Sequence, residues 1–181
     1  MRLESLKQEI SILSQLQHKN IVKYLGHHND LENKVFNIFL EYISGGSIFI
    51  LLKKYWKFNE TLTRIYAKHI LEGLEYLHSF GIVHRDIKGA NVLVGNDGVC
   101  KLADFGGAKF LLSDDTVQHI NENMFQGTIQ WTAPEVLRGE GYSWFSDIWS
   151  VGCTVIEMLT GSPPNWGNET DPIKIMNVIA H

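Results

Sequence analysis

Between residues 3 and 16, apolar side chains fall at Leu6, Ile10, Leu13 and Leu16 with polar residues between them. That spacing follows the period of a helix with one apolar stripe, so an amphipathic helix packing on one face is expected. Two β-branched and aromatic segments come next, at 21–25 and 35–42, separated by His28-Asn29-Asp30 and Glu32-Asn33-Lys34. Polar clusters of this kind form turns, and the segments read as neighbouring antiparallel strands. Ser44-Gly45-Gly46-Ser47 interrupts the pattern and reads as a flexible turn. Beyond it a short helix is predicted over 48–55, and Asn59 is placed to cap a longer one running to about Ser79. Leu62, Ile65, Ile70, Leu74 and Leu77 keep helical spacing there, and Gly81 stands where a helix stops.

The punctuation then changes. Val92-Leu93-Val94 and Val99-Cys100-Lys101-Leu102 flank Gly95-Asn96-Asp97-Gly98, which predicts a tight hairpin. Residues 113–126 hold few apolar anchors and read as an exposed, mobile loop. From 148 to 159 the apolar residues Ile148, Trp149, Val151, Val155, Ile156, Met158 and Leu159 surround the axis, so that helix is expected to be buried nearly all round.

Composition narrows the function classes. The 181 residues are 44% hydrophobic and 20% charged, as in an ordinary folded domain, and the net charge of −4 offers no broad positive field. Nucleic acid and anionic lipid are therefore not expected partners. Cys100 and Cys153 lie far apart inside apolar runs, which favours buried free thiols and a reducing, cytoplasmic setting. No apolar stretch approaches the roughly 20 residues that span a bilayer, and the N-terminus has no signal-peptide core. The eight histidines show no H-E-x-x-H spacing, so zinc is not expected.

The chemistry gathers between the long helix and the hairpin. His84-Arg85-Asp86-Ile87-Lys88-Gly89-Ala90-Asn91 supplies a carboxylate to accept a proton, an amine to neutralise phosphate oxygens and an amide oxygen to hold a hard cation. Just past the hairpin, Asp104-Phe105-Gly106 adds a second carboxylate, and Ala133-Pro134-Glu135 follows. A lone Asp before Phe-Gly is most often a turn residue. Eleven fixed positions in this order are another matter: chance agreement is on the order of 10⁻¹⁴ per placement.

With these motifs the sequence resembles the eukaryotic serine/threonine protein kinases, from Leu3 to about Ala180. The segments Ile87-Lys88-Gly89-Ala90-Asn91 and Trp149-Ser150-Val151-Gly152-Cys153-Thr154-Val155-Ile156-Glu157-Met158-Leu159-Thr160 look most like the MAP kinase kinase kinase group. The resemblance implies an α+β, two-lobed fold, with a partial small lobe and hinge at 1–43 and a partial large lobe at 44–181. It implies ATP and Mg²⁺ as cofactors, and protein Ser/Thr hydroxyls as acceptors, with a MAP kinase kinase as the expected protein partner. By the same resemblance Asp86 is the catalytic base, Lys88 the phosphate-contacting lysine, Thr128 the threonine that touches both, and Asn91 and Asp104 the magnesium ligands. Glu41, Tyr42 and Ile43 match the hinge beside adenine, with Leu40 the gatekeeper and Leu93 the floor of the site. Glu9 matches the helix glutamate that pairs with the ATP-positioning lysine. Leu13, Tyr24, His84 and Phe105 match an apolar stack between the lobes, and Asp147 matches the carboxylate anchoring the catalytic-loop backbone.

Bland roles accompany these. His84 and Phe105 are expected to pack rather than react, and Glu135 to form a buried ion pair. The sequence contains no G-x-G-x-x-G loop and no Val-Ala-Ile-Lys strand, both of which precede the Glu9 helix in that family. A non-catalytic interaction module derived from a kinase is the alternative reading. Where relatives carry phosphorylatable hydroxyls before Gly127-Thr128, this chain has Met124 and Gln126. Ser113 or Thr116 is then expected to take the phosphate, or Gln126 to bond Arg85 directly.

Overall fold

The computed structural model describes residues 9–30, 32–33, 35–111, 128–164 and 170–181. Helix α1 occupies 9–13 and turns out of helical geometry at 14–15, earlier than the apolar spacing to Leu16 implies. Its Ile12 and Leu13 are buried, and residues 3–8 of the predicted 3–16 helix lie outside the described residues.

Strands β1 (Tyr24–Asp30) and β2 (Val35–Leu40) pair antiparallel, with Asp30 opposite Val35. The expected first strand at 21–25 is thus displaced. His28-Asn29-Asp30 is strand, and the turn falls at 32–33. Asp30 closes that turn by accepting the N–H groups of Glu32 and Asn33. Ile21 and Val22 serve the core instead: both are buried, and Val22 N–H donates to Leu102 O at 2.9 Å.

The larger body is organised by α2 (Ile48–Tyr55) and α3 (Glu60–Ser79), which start and end where capping signals place them. Ser47 Oγ accepts from Ile50 N–H, and Asn59 Oδ1 accepts from Leu62 N–H at 2.9 Å. Ahead of α2 the predicted turn is present at Ser44-Gly45, and it is also a site of close approach. A Cβ on Gly45 would stand 2.2 Å from the Val94 carbonyl oxygen, and Val94 N–H donates to Gly46 O at 2.8 Å.

Beyond α3, β3 (Ile82–Val83) pairs with β6 (Lys109–Phe110), and β4 (Val92–Val94) forms the predicted hairpin with β5 (Cys100–Leu102) in the register Val92–Leu102, Leu93–Lys101. α3 packs on α5 and β5, and the core between them gathers Ile70, Leu74, Leu77, Ile87, Leu102, Phe105 and Met158. A short helix, α4 (Pro134–Leu137), precedes α5 (Trp144–Thr160), whose start is fixed by reciprocal Ser143 and Ser146 capping bonds. α6 (Pro172–Ala180) rests on α4.

Helix α5 departs from the expected all-round burial. Ile148, Ile156 and Leu159 are 46%, 43% and 40% exposed, whereas Ser146, Asp147, Ser150, Thr154 and Glu157 are buried. At about 100° per residue, Asp147, Ser150, Thr154 and Glu157 share an arc of about 80°. The inward side of this helix is in large part polar. Among the described residues, no helix is long and apolar enough to cross a membrane.

Candidate active site

The segment 84–91 leaves β3 and is pinned at its start by α5. Asp147, 1% exposed, accepts the backbone N–H of His84 and of Arg85, each at 2.9 Å, and bonds His78 Nε2 at 2.8 Å. Both carboxylate oxygens are thus spent on holding main chain and one ring. Arg85 takes a left-handed φ of 69° at this point, which turns the chain outward. Its side chain donates to Gly107 O and lies over the Tyr142 ring. His84 is fully buried, bonds Ala103 O through Nε2 at 3.1 Å and packs against Phe105. Burial pushes its pKa down against the pull of Asp147 and Asp86, so the ring stays neutral near pH 7 and packs. Leu13 and Phe105 share the same core, with Tyr24 packed against it.

From that anchor the side chains alternate. Ile87 plugs the core with no exposure, while Asp86 and Lys88 stand half-buried beyond it. Lys88 Nζ donates to Asp86 Oδ2 and to Thr128 Oγ1, both at 2.7 Å, and Thr128 Oγ1 donates to Asp86 Oδ1 at 3.3 Å. Asn91 Nδ2 closes the group by donating to the Asp86 carbonyl and to Oδ2, each at 2.8 Å. Three residues named from the sequence, Lys88, Asn91 and Thr128, therefore converge on the carboxylate of a fourth, Asp86. Both Asn91 bonds use the amide nitrogen, which leaves the amide oxygen as the acceptor a hard cation takes.

Asp104 follows β5 in a left-handed turn with φ 63°, exposed, next to Ala103, whose N–H donates to Asn91 O at 2.9 Å. Opposite it stands Glu9 of α1. A Cβ on Gly106 would lie 3.4 Å from Asp104 Oδ1 and 3.8 Å from Glu9 Oε2, so the two carboxylates converge there. Burial first, and then the Asp104 charge, push the Glu9 carboxyl above its usual range. Two facing carboxylates of this kind are relieved by a cation between or beside them. The described residues hold no group of three or more His, Cys, Asp or Glu side chains placed to hold a metal ion. An exposed carboxylate beside an amide oxygen suits magnesium, which takes one or two protein oxygens and completes its shell with water and phosphate.

On the other side of β4, Leu93 is half-buried between the buried Val92 and Val94 and bridges to Ser47. Its register partner Lys101 reaches Glu41 Oε1 at 2.7 Å, and that oxygen also accepts Lys23 N–H at 2.7 Å. Burial raises the Glu41 pKa, but the bonds from Lys101 and Lys23 outweigh it and hold the carboxyl below its usual range. Glu41 is thus tied to the strand that pairs with Leu93 through Lys101. Leu40, 39% exposed, ends β2 just ahead of Glu41.

Glu135 accepts a hydrogen bond from Ser146 Oγ at 3.1 Å. Ser113, Thr116, Met124 and Gln126, on which the phosphorylation expectation rests, lie outside the described residues, as does Gly127. One residue the sequence reading left without a role is Glu157. It is 3% exposed, and its Oε2 accepts Gly89 N–H at 2.9 Å and Trp131 Nε1–H at 3.1 Å. Burial raises its pKa against those donors and the Lys88 charge. The available signal was polar residues at 147, 150, 154 and 157 recurring on one side of an otherwise apolar helix.

The chain is 48% identical over 167 residues to mitogen-activated protein kinase kinase kinase 2 of Arabidopsis thaliana, which covers 92% of this chain and 25% of that protein. It is 46% identical over 176 residues to mitogen-activated protein kinase kinase kinase A of Dictyostelium discoideum, covering 97% of the chain and 18% of the relative. Against human mitogen-activated protein kinase kinase kinase 3 it is 48% identical over 162 residues, 90% of the chain and 26% of the relative. The chain spans about a quarter or less of the curated relatives it matches. Residues 1–180 match the family described as the protein kinase domain, and the chain belongs to that family.

Proposed function

We propose that this chain is the catalytic part of a cytoplasmic serine/threonine protein kinase that phosphorylates protein hydroxyls in a MAP kinase cascade, with a MAP kinase kinase as substrate. The observation that carries this reading is the closed group in which Lys88 Nζ bonds both Asp86 and Thr128. Asp86 offers a carboxylate oxygen to the proton of an incoming Ser or Thr hydroxyl as that oxygen attacks phosphorus. Lys88 stands beside it to balance negative charge on the transferred group, and Thr128 holds the pair in register from the second loop. Asn91 and Asp104 are the residues to hold Mg²⁺, and Glu9, whose carboxylate converges with that of Asp104, is the one to pair with an ATP-positioning lysine. The Glu41 to Ile43 backbone, Leu40 and Leu93 border the adenine. Mg-ATP, when bound, would supply the γ-phosphoryl group, its bond to the bridging oxygen breaking as the hydroxyl oxygen bonds phosphorus so that ADP leaves, and the metal would neutralise the phosphate oxygens. Asp86 keeps the proton released from the hydroxyl until solvent removes it.

The test uses the full-length protein. Asp86→Asn is expected to lower kcat about 10² to 10⁴-fold while leaving the Kd for Mg-ATP nearly unchanged, because the base faces the hydroxyl. Asp104→Ala is expected to weaken Mg-ATP binding as well. Equal losses of nucleotide affinity in both variants, or binding of a protein partner by a wild type that transfers no phosphate, would sink this assignment in favour of an interaction module.

A further inference from the structure

From Tyr42 to Asn59 the chain has no acidic residue, yet Lys53, Lys54 and Lys57 follow one another closely there, on a molecule whose net charge is −4. All three are exposed, and none has an ion-pair partner among the described residues. The next acid along the chain, Glu60, is taken by Arg64 at 2.6 Å. Part of their role is ordinary, since Lys53 and Lys54 lie in the last turn of α2, where cations suit the helix carbonyls. Their ammonium groups also stand over aromatic rings, Lys53 Nζ 4.3 Å above Phe49 and Lys54 Nζ 5.1 Å above Tyr55. The turn that ends α2 needs a further reason. Trp56 has φ 71° and ψ −70°, and Lys57 N–H donates to Tyr55 O at 3.0 Å across it, a γ-turn that a bulky side chain rarely adopts. The backbone is held from several sides. Trp56 N–H donates to Leu52 O at 2.7 Å, Phe58 N–H donates to Met158 O at 2.8 Å, and a Cβ on Gly161, at the end of α5, would stand 2.2 Å from Trp56 O. Strained backbone persists only where its surroundings over-determine it, and it gathers at ligand clamps. Here it presents an indole to solvent: Trp56 is 75% and Tyr55 59% exposed. Between the ends of α2 and α5 lies a cleft of about 590 Å³ with Lys53, Lys54, Tyr55, Trp56, Thr160 and Ser162 in its walls.

We propose that this cleft docks an acidic, extended segment of a protein partner, whose carboxylates meet Lys53, Lys54 and Lys57 and whose apolar side chains lie against Trp56 and Tyr55. Charge complementarity chooses the partner: three unpaired ammonium groups around exposed rings suit a segment in which carboxylates and aliphatic side chains are mixed. Tryptophan and tyrosine at a concave surface are also the residues on which binding energy concentrates. Concavity favours a peptide over a bilayer, because a flat anionic surface reaches the lysines without filling the cleft, and the net charge of −4 repels it. The site shares no residue with the Asp86 group, so it stands whether or not that group transfers phosphate.

The experiment titrates the full-length protein into a short fluorescein-labelled peptide of Asp, Glu and Leu and follows fluorescence anisotropy. A peptide of Lys and Leu and one of Asp, Glu and Ser run beside it, as does sedimentation with vesicles of phosphatidylserine and phosphatidylcholine. Wild type is expected to bind the first peptide at least about tenfold more tightly than either of the others, and not to sediment with the vesicles. Lys53→Glu, Lys54→Glu and Lys57→Glu together are expected to raise its Kd at least about tenfold, and raising the salt from about 0.05 to 0.5 M is expected to weaken wild-type binding by a similar factor. Trp56→Gly is expected to raise the Kd about tenfold. Glycine takes a positive φ freely, so the same variant is expected to keep or raise the Tm followed by circular dichroism, a combination that a merely structural tryptophan would not give. No binding of the acidic peptide by wild type, wild-type affinity in either variant, or equal affinity for the Asp, Glu and Ser peptide overturns the proposal, and so does sedimentation with vesicles in place of peptide binding. Should the triple reversal not fold, Lys53→Gln, Lys54→Gln and Lys57→Gln together replace it, and wild-type affinity there overturns the proposal.

Discussion

At residue 157 a carboxylate is kept where water does not reach, and this has a measurable cost in pH. Burial raises its pKa above the ordinary 4.5 by more than the Gly89 and Trp131 donors and the Lys88 charge lower it. A group whose pKa is raised on folding binds its proton more tightly in the folded state. Its stabilising contribution is therefore fully present below 4.5 and is lost as pH rises through the folded value. Glutamine at this position never ionises. The Tm difference between Glu157→Gln and wild type is expected to move in favour of the variant as pH is raised from the acid side of 4.5 to neutrality. A difference that is flat, or moves against the variant, would show that the carboxyl is not raised.

Elements carry a different kind of information. The starts of α2 and α3 were legible because Ser47 and Asn59 satisfy helix N–H groups with their own side chains, a local act written in local sequence. Asn59→Ala is expected to destabilise the protein by about 1 kcal/mol, seen as a lower midpoint in denaturant, with kcat per folded molecule unchanged. Loss of turnover without loss of stability would mean that the α3 cap acts on the site. β1 was misplaced for the converse reason. Its histidines and Asn29 look like a turn, but a strand in a two-stranded sheet with most residues exposed needs no apolar alternation. Ile21 and Val22 look like a strand, but their burial is decided by Leu102, which lies some 80 positions away in sequence. The same distinction separates Asp86, Lys88, Asn91 and Asp104, given by contiguous motifs, from Glu157, whose partners at 89 and 131 only the fold brings together.

Among the described residues the main core runs from α1 through α3 and β5 to α5, a smaller cluster of Ala133, Val136 and Tyr142 lies beside it, and both cysteines are buried. Cys100 is 1% and Cys153 3% exposed, and burial pushes each thiol up to about 12. A thiolate is the species that alkylates, so neither residue is expected to react with iodoacetamide at neutral pH until the core opens. Peptide mapping after timed labelling in rising urea checks this. The two sites are expected to become labelled together at the unfolding midpoint, and modification of Cys153 well below it would show that α5 detaches from the core by itself.

The bonds that α5 makes to the two loops are directed mostly at main chain: Asp147 takes the N–H groups of His84 and Arg85, Ser150 reaches the carbonyl of Trp131, and Glu157 takes the N–H of Gly89. A support that grips backbone is indifferent to most of the side chains it carries. Positions such as Ala90, exposed and outside every one of these contacts, are therefore free to be rewritten, while the helix beneath tolerates little exchange at its four inward polar positions. For protein engineering, new acceptor preferences are best sought by randomising loop side chains with α5 left untouched, and transplanting the loops without this helix would leave their geometry unheld.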